Sequence, residues 1–345
     1  FQSCNFSSII IPNGMTEIGE NVFRMCSSLS TIIIPPSVTK IGKGAFYGCA
    51  FTELPEMGSV TTIEYQAFMN CGKIAELTIP ENILSLGYNS FTSCGTTSLR
   101  IVSSTTAMSN HVFSSCGNLS DIHLPEGMTK IESGTFSACK SLSEIDLPHS
   151  LLSIGDYAFD ETSLTTIVIP NKVQIIRSKA FSRCYNLKTI YLKYNGIILQ
   201  RLKIGRAHVW TPVTSLFSLF ESAFSSCKGL SAIYSLNLIP PGLNYRQYNN
   251  NYVNQNGYGS FDTQHYSTVD VYVPKGSLEA YKNDPYWKKF YYISEIDYEP
   301  TYIETNRTDE LLPKYYTFSG VNINSVQKGL NIVLMPDGTI RKILK

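Results

Sequence analysis

Nine cysteines and five histidines are the residues of this chain that could do chemistry. Thiols in that number suggest three chemistries: a disulfide framework, a metal site, or a thiolate nucleophile beside a histidine. Their positions argue against all three. Each cysteine stands three residues after a phenylalanine, at Phe1/Cys4, Phe23/Cys26, Phe46/Cys49, Phe68/Cys71, Phe91/Cys94, Phe113/Cys116, Phe136/Cys139, Phe181/Cys184 and Phe224/Cys227. Phe159 keeps the phase with Thr162 in the cysteine place. Cysteines at one position of a stacked repeat form a file at roughly 4.8 Å spacing with parallel Cβ vectors, a poor geometry for disulfides. A file also supplies no convergent metal ligands. Cys–His catalysis needs one distinctive cysteine, and these are repeat copies. The thiols therefore read as free, buried, small apolar side chains.

The remaining chemical candidates are equally dispersed. His111, His123, His149, His208 and His265 show no pairing at ligand spacing. No glycine-rich phosphate loop and no nucleophile elbow is present. The triplets at Asn5, Asn118 and Asn306 match the glycosylation pattern, which is short enough to arise by chance. No catalytic residue, metal or cofactor is expected, and the chain reads as a non-enzyme.

What positions the cysteines is a period. From Phe1 to Phe181 successive phenylalanines of the phrase lie 22 or 23 residues apart. A fixed period of this size is the signature of stacked coils, each burying its apolar face on its neighbours. Between Cys26 and Cys49 the coil reads in order. Leu29, Ile32 and Ile34 form a first strand, which Pro35–Pro36 ends because proline cannot donate to a ladder. Val38 and Ile41 alternate with polar residues as a second strand. Gly42 and Gly44 allow a corner, and a short helical turn is expected before Cys49. The same order returns as Leu119, Ile122, Leu124, Pro125, Met128, Ile131, Phe136 and as Leu142, Ile145, Leu147, Pro148, Leu151, Ile154, Phe159.

The combined phrase Leu-x-x-Ile-x-Ile-Pro, then Val-Thr-x-Ile-Gly-x-x-Ala-Phe-x-x-Cys, resembles the BspA-like (Treponema pallidum-type) leucine-rich repeats of bacterial surface proteins. The resemblance covers about residues 1–238. It implies a leucine-rich-repeat solenoid, mainly β with short turns, of about ten coils. At roughly 4.8 Å per coil such an array is about 45–50 Å long. Distorted coils are expected at residues 98–110, where the landmarks are lost, and at 49–55, where the first strand is shortened.

Residues 204–214 fit no repeat position. They resemble translated adapter sequence and read as an assembly artefact or an insertion, with a loop expected and no function assigned. After Ile239–Pro240–Pro241 the composition shifts. Residues 244–260 are rich in Asn, Tyr and Gly and read as a loop. Val269–Pro274 reads as a strand, and Ser277 as the cap of a short helix through about Lys282. The stretch 239–298 resembles the irregular repeat that closes such arrays in Bacteroidetes proteins. Tyr281, Trp287 and Phe290 suit the covering of a terminal coil, and an aromatic platform for a glycan is the alternative. Residues 299–312 read as a linker. The hairpin of Leu330–Met335 and Thr339–Leu344 resembles the C-terminal β-tail associated with outer-membrane sorting.

Charge is nearly balanced, 28 Lys and Arg against 27 Asp and Glu, which argues against nucleic acid as a partner. No apolar run is long enough to span a membrane. The chain begins at Phe1 inside a repeat phrase, so an upstream segment is expected and no targeting signal is visible. The resemblance implies a secreted or cell-surface, adhesin-like protein that binds host or bacterial extracellular proteins. The face for this is the outward positions of the first strands: Thr31 and Ile33, Glu76 and Thr78, Arg100 and Val102, Asp121 and His123, Glu144 and Asp146, Thr166 and Val168, Thr189 and Tyr191. Its middle is acidic. A glycan-binding module and a passive spacer are the competing readings.

Overall fold

A computed structural model describes residues 1–192, 222–241 and 260–296 in full, together with the backbone of strands at 198–204, 207–213, 218–219, 242–243 and four strands between 314 and 344. The loop expected over 244–260 and the linker over 299–312 lie almost wholly outside the described residues.

The expected solenoid is present, and three ladders run along it. The first strands form the front ladder. It pairs Ser8–Ile10 with Thr31–Ile33, then Glu76–Ile79 with Ser98–Ile101 and Asp121–His123, all parallel. It resumes as Thr166–Ile169, Thr189–Leu192, Ala232–Ser235, Asp270–Pro274 and Tyr292–Ile296. The second strands are two residues long, from Glu17–Ile18 to Ala107–Met108 and from Lys130–Ile131 to Gly242–Leu243. In both ladders the alternate side chains Leu29, Ile32, Val38 and Ile41 and their equivalents are buried, as the two-residue period requires.

The third ladder replaces the expected helical turn. In the turns from Phe23 to Phe224, the residues two before and two after each Phe hold positive φ. Non-glycine examples include Asn21 at 54°, Met25 at 59°, His111 at 58° and Arg183 at 57°. Such a backbone cannot be α-helical. It instead turns the amides at −2, Phe and +2 toward the following coil. Asn21, Phe23 and Met25 donate to the carbonyls of Lys43, Ala45 and Tyr47, and Gly44, Phe46 and Gly48 donate to those of Tyr65, Ala67 and Met69. Gly44 occupies one of these left-handed positions (φ 58°), whereas Gly42 serves close approach: a Cβ there would stand 2.7 Å from the Ile18 carbonyl.

Inside, the phenylalanines stack. Eleven rings from Phe1 to Phe261 form one file with centroids 5.1–6.0 Å apart. Each pair adds about 0.5–1.5 kcal/mol beyond its burial. Phe261, an eleventh member, follows Phe224 by 37 residues.

The nine cysteines are free, and eight of them are buried. They are more than small apolar groups. Cys26, Cys49, Cys71, Cys94, Cys116, Cys139, Cys184 and Cys227 each donate an S–H to the carbonyl of the file Phe one coil before their own, at 3.0–3.4 Å. Burial pushes the Cys49, Cys116 and Cys184 thiols up to about 12 and raises those of Cys71, Cys94, Cys139 and Cys227 still further.

Phe261, Trp287 and Phe290 end the file: Phe290 meets Phe261 edge-on at 5.5 Å, and Trp287 lies 5.6 Å from Phe290. The Trp287 indole donates to the Pro241 carbonyl at 2.8 Å, and the Tyr281 hydroxyl donates to the Asn237 carbonyl at 2.8 Å. The expected short helix is Leu278–Asn283, but Ser277 does not cap it with its side chain; its hydroxyl turns back to the Pro274 carbonyl at 2.5 Å.

Residues 204–214 do not form the expected loop. Ile198–Ile204 and Ala207–Val213 pair antiparallel, outside the coil pattern. Near the C-terminus, Leu330–Leu334 and Ile340–Leu344 pair as the expected hairpin, within a four-stranded antiparallel sheet.

Candidate functional site

The front ladder places the outward residues of successive coils in two files. Strand alternation buries Leu77, Leu99 and Ile122, which leaves their neighbours facing out. One file reads Glu53, Glu76, Ser98, Asp121, joined by direct register, and the repeat phrase continues it to Glu144. The other reads Thr78, Arg100, His123 by register and continues by phrase to Asp146. Glu76, Thr78, Asp121, His123, Glu144 and Asp146 are all exposed. The register corrects one coil: Ser98 and Arg100, not Arg100 and Val102, stand level with Glu76 and Thr78. The loss of the proline landmark at residues 98–110 hid this shift of two.

Two contacts organise the middle of the strip. The Ser98 hydroxyl donates to Asp121 Oδ2 at 3.1 Å, and His123 Nδ1 lies 3.6 Å from Asp121 Oδ1. Beyond them the ladder breaks. Among the described residues, no backbone hydrogen bond joins 144–146 to the coil on either side. Asp121 would sit opposite Glu144 there, and like charges directly opposed destabilise strand pairing.

Where the ladder resumes, its outward file turns aromatic: Val168, Tyr191, Tyr234, Tyr272. Tyr191 was expected in the strip, and its stack was not. Tyr191 and Tyr234 lie 4.9 Å apart, Tyr234 and Tyr272 4.7 Å, each nearly parallel. Burial, then the neighbouring Tyr234, pushes Tyr191 up to about 12. Nothing in the 22–23-residue phrase signals this stack, because Tyr234 and Tyr272 lie beyond the regular spacing.

Tyr281, Trp287 and Phe290 cover the terminal coil, and the alternative of an aromatic platform there is contradicted by their burial. These side chains are 0 %, 0 % and 3 % exposed. Among the described residues the coil they cover is the last apolar one, and no ring face of the three reaches solvent. Among the described residues no three His, Cys, Asp or Glu side chains converge as metal ligands. No described helix is long and apolar enough to cross a membrane.

The repeat matches the family of BspA-type leucine-rich-repeat regions in six copies, over residues 1–120 and 106–203. This chain belongs to that family. Among solved structures, a leucine-rich-repeat protein from Bacteroides ovatus is 24 % identical, with 78 % of this chain and 57 % of that one covered and a TM-score of 0.45. A leucine-rich cell-surface protein from Faecalibacterium prausnitzii is 22 % identical, covering 71 % of this chain and 61 % of its own length, at a TM-score of 0.39. The pneumococcal vaccine antigen PcpA is 20 % identical over 84 % of this chain and 77 % of its own, at 0.46. This BspA-type chain thus spans less than two thirds of the first two. Comparison with curated proteins finds no match.

Proposed function

We propose that this BspA-type chain is a secreted or cell-surface, adhesin-like binding protein without catalytic activity, and that the front ladder is its adhesive face. The observation that carries this reading is the pair of outward files from Glu53 and Thr78 to Glu144 and Asp146, followed beyond the break in the ladder by the tyrosine stack along the same run of first strands. Repeat arrays offer extended surfaces of this kind to protein partners. The partners are host or bacterial extracellular proteins.

Glycan binding is less well supported. A sugar packs on an aromatic ring face, and here Tyr234 has a tyrosine stacked on each side. The test is a screen of the purified chain against extracellular-matrix and plasma proteins beside a glycan array. Each hit is repeated with Asp121, Glu144 and Asp146 changed to Lys. A protein hit that disappears in the triple variant supports the adhesive face. A glycan hit that survives it overturns the reading, and silence on both leaves a structural spacer.

A further inference from the structure

One coil departs from the others on the front face. Between Cys49 and Met57 the chain is one residue shorter than between Cys71 and Pro80, the equivalent positions. Met57 takes the place of the strand-ending proline: Val60 donates to the Met57 carbonyl as Ile83 donates to that of Pro80. Pro55 falls inside what should be the first strand, opposite Thr78. Lacking an N–H, it cannot join the ladder, and pairing shrinks to the single bridge between Glu53 and Glu76. The two coils part over the following residues and enclose an open groove of about 560 Å³.

The lining of the groove has two chemistries. Leu54, Pro55 and Pro80 supply apolar wall, while Glu53, Glu56 and Glu76 supply carboxylates. All three glutamates are exposed, and none is in an ion pair among the described residues. Some other acids are paired: Lys40 with Glu17 and Glu64, Lys130 with Glu132, Arg183 with Asp160 and Glu161. Three carboxylates around one apolar-walled groove give it the charge that attracts a cation. A lysine or arginine side chain matches both features, its methylene stem on the wall and its charged head among the glutamates.

We propose that this groove is the docking point for a lysine- or arginine-bearing extended segment of a protein partner. The inference rests on the front face being adhesive, and adds the chemistry of what it takes. The volume admits one long side chain with part of its backbone. Continuity with Glu76, Ser98 and Asp121 lets the rest of a basic segment run along the strip.

The test is fluorescence anisotropy of the full chain with a labelled alternating Lys-Ala decapeptide, and with a Glu-Ala decapeptide as control. The Lys-Ala peptide is expected to bind and the Glu-Ala peptide not. Two changes to the groove should each weaken binding at least tenfold. E53Q/E56Q/E76Q removes the charges with little change of shape. T78W keeps every carboxylate and fills the groove. E20Q/E279Q, exposed and away from both the groove and the strip, should change affinity less than threefold. Loss in E53Q/E56Q/E76Q with none in T78W would show only a diffuse acidic surface and overturn the groove. Absence of Lys-Ala binding up to millimolar peptide overturns it too. Because T78W leaves Asp121, Glu144 and Asp146 in place, a protein partner that still binds T78W but not the Lys triple variant sinks the groove while the adhesive face stands.

Discussion

The amide of Ser226 donates to the Asp262 carboxylate at 2.7 Å, where every earlier turn donates to a backbone carbonyl of the next coil. The turn ladder is one-directional: its N–H groups point toward the C-terminal end of the array and its carbonyls toward the N-terminal end. Its last amides would be orphaned like those at the start of a helix, and a carboxylate is the natural cap. Asp262→Ala is expected to destabilise the closing coil by about 1 kcal/mol, with Asp262→Asn losing less. Hydrogen exchange at the Ser226 amide measures this, and unchanged protection in Asp262→Ala would refute the capping role.

Beside that cap, His265 is held as one neutral tautomer. The Asp262 amide donates to Nδ1 at 3.2 Å, and Nε2 therefore carries the proton and donates to the Cys227 carbonyl at 3.0 Å. Burial lowers its affinity for a second proton. The unfolded chain protonates this histidine first as pH falls below about 6.5, so the folded state loses stability over the range beneath that value. Comparison of thermal midpoints at pH 7.5 and 5 should show a smaller acid loss in His265→Gln than in the parent chain.

The thiols from Cys49 to Cys227 titrate in the opposite sense. Folding holds these seven protonated, so their contribution is complete below about pH 8.5 and declines as pH rises beyond it. Because a thiolate is the reactive form, iodoacetamide at pH 8 should label the half-exposed Cys4 quickly. The eight buried cysteines should react only after denaturant is added, and rapid labelling of Cys71 or Cys116 in the folded chain would contradict the hydrogen-bonded file.

Asp160 is 2 % exposed and depends on Arg183, which holds it through Nε at 3.0 Å and through Nη2. Removing the guanidinium leaves a buried charge without its partner, costing about 2–4 kcal/mol, the lower end reflecting the partial exposure of Arg183. Urea titration of Arg183→Met should show this loss, and of Asp160→Asn/Arg183→Met a smaller one.

The repeat was legible because its landmarks are inward residues under tight packing. Phe46, Cys49, Ile32 and Val38 can hardly change without opening a cavity, so period and burial stand out together. The aromatic cap was half legible: Trp287 and Phe290 suited both a covering coil and a sugar platform, and only the Phe261 ring beneath them decides for the first. Phe261 itself was missed because the 37 residues from Phe224 hide the phase and Gln264 stands where a cysteine should. The left-handed turns were illegible for another reason. Asn21, Met25, His111 and Arg183 share no residue type, and their φ is imposed by inter-coil hydrogen bonds rather than by local preference. The tyrosine stack required strand pairings that cross 43 and 38 residues of sequence, from Tyr191 to Tyr234 and from Tyr234 to Tyr272.

The three ladders give the array a mechanical character. Their hydrogen bonds lie along the solenoid axis, so tension applied between its ends pulls them straight apart, one coil interface at a time, instead of shearing a whole sheet at once. Each coil set free pays out 22 or 23 residues, about 75 Å of extended chain. Under load the molecule is a tether that lengthens in equal steps, giving way coil by coil while the rest of the file keeps its grip.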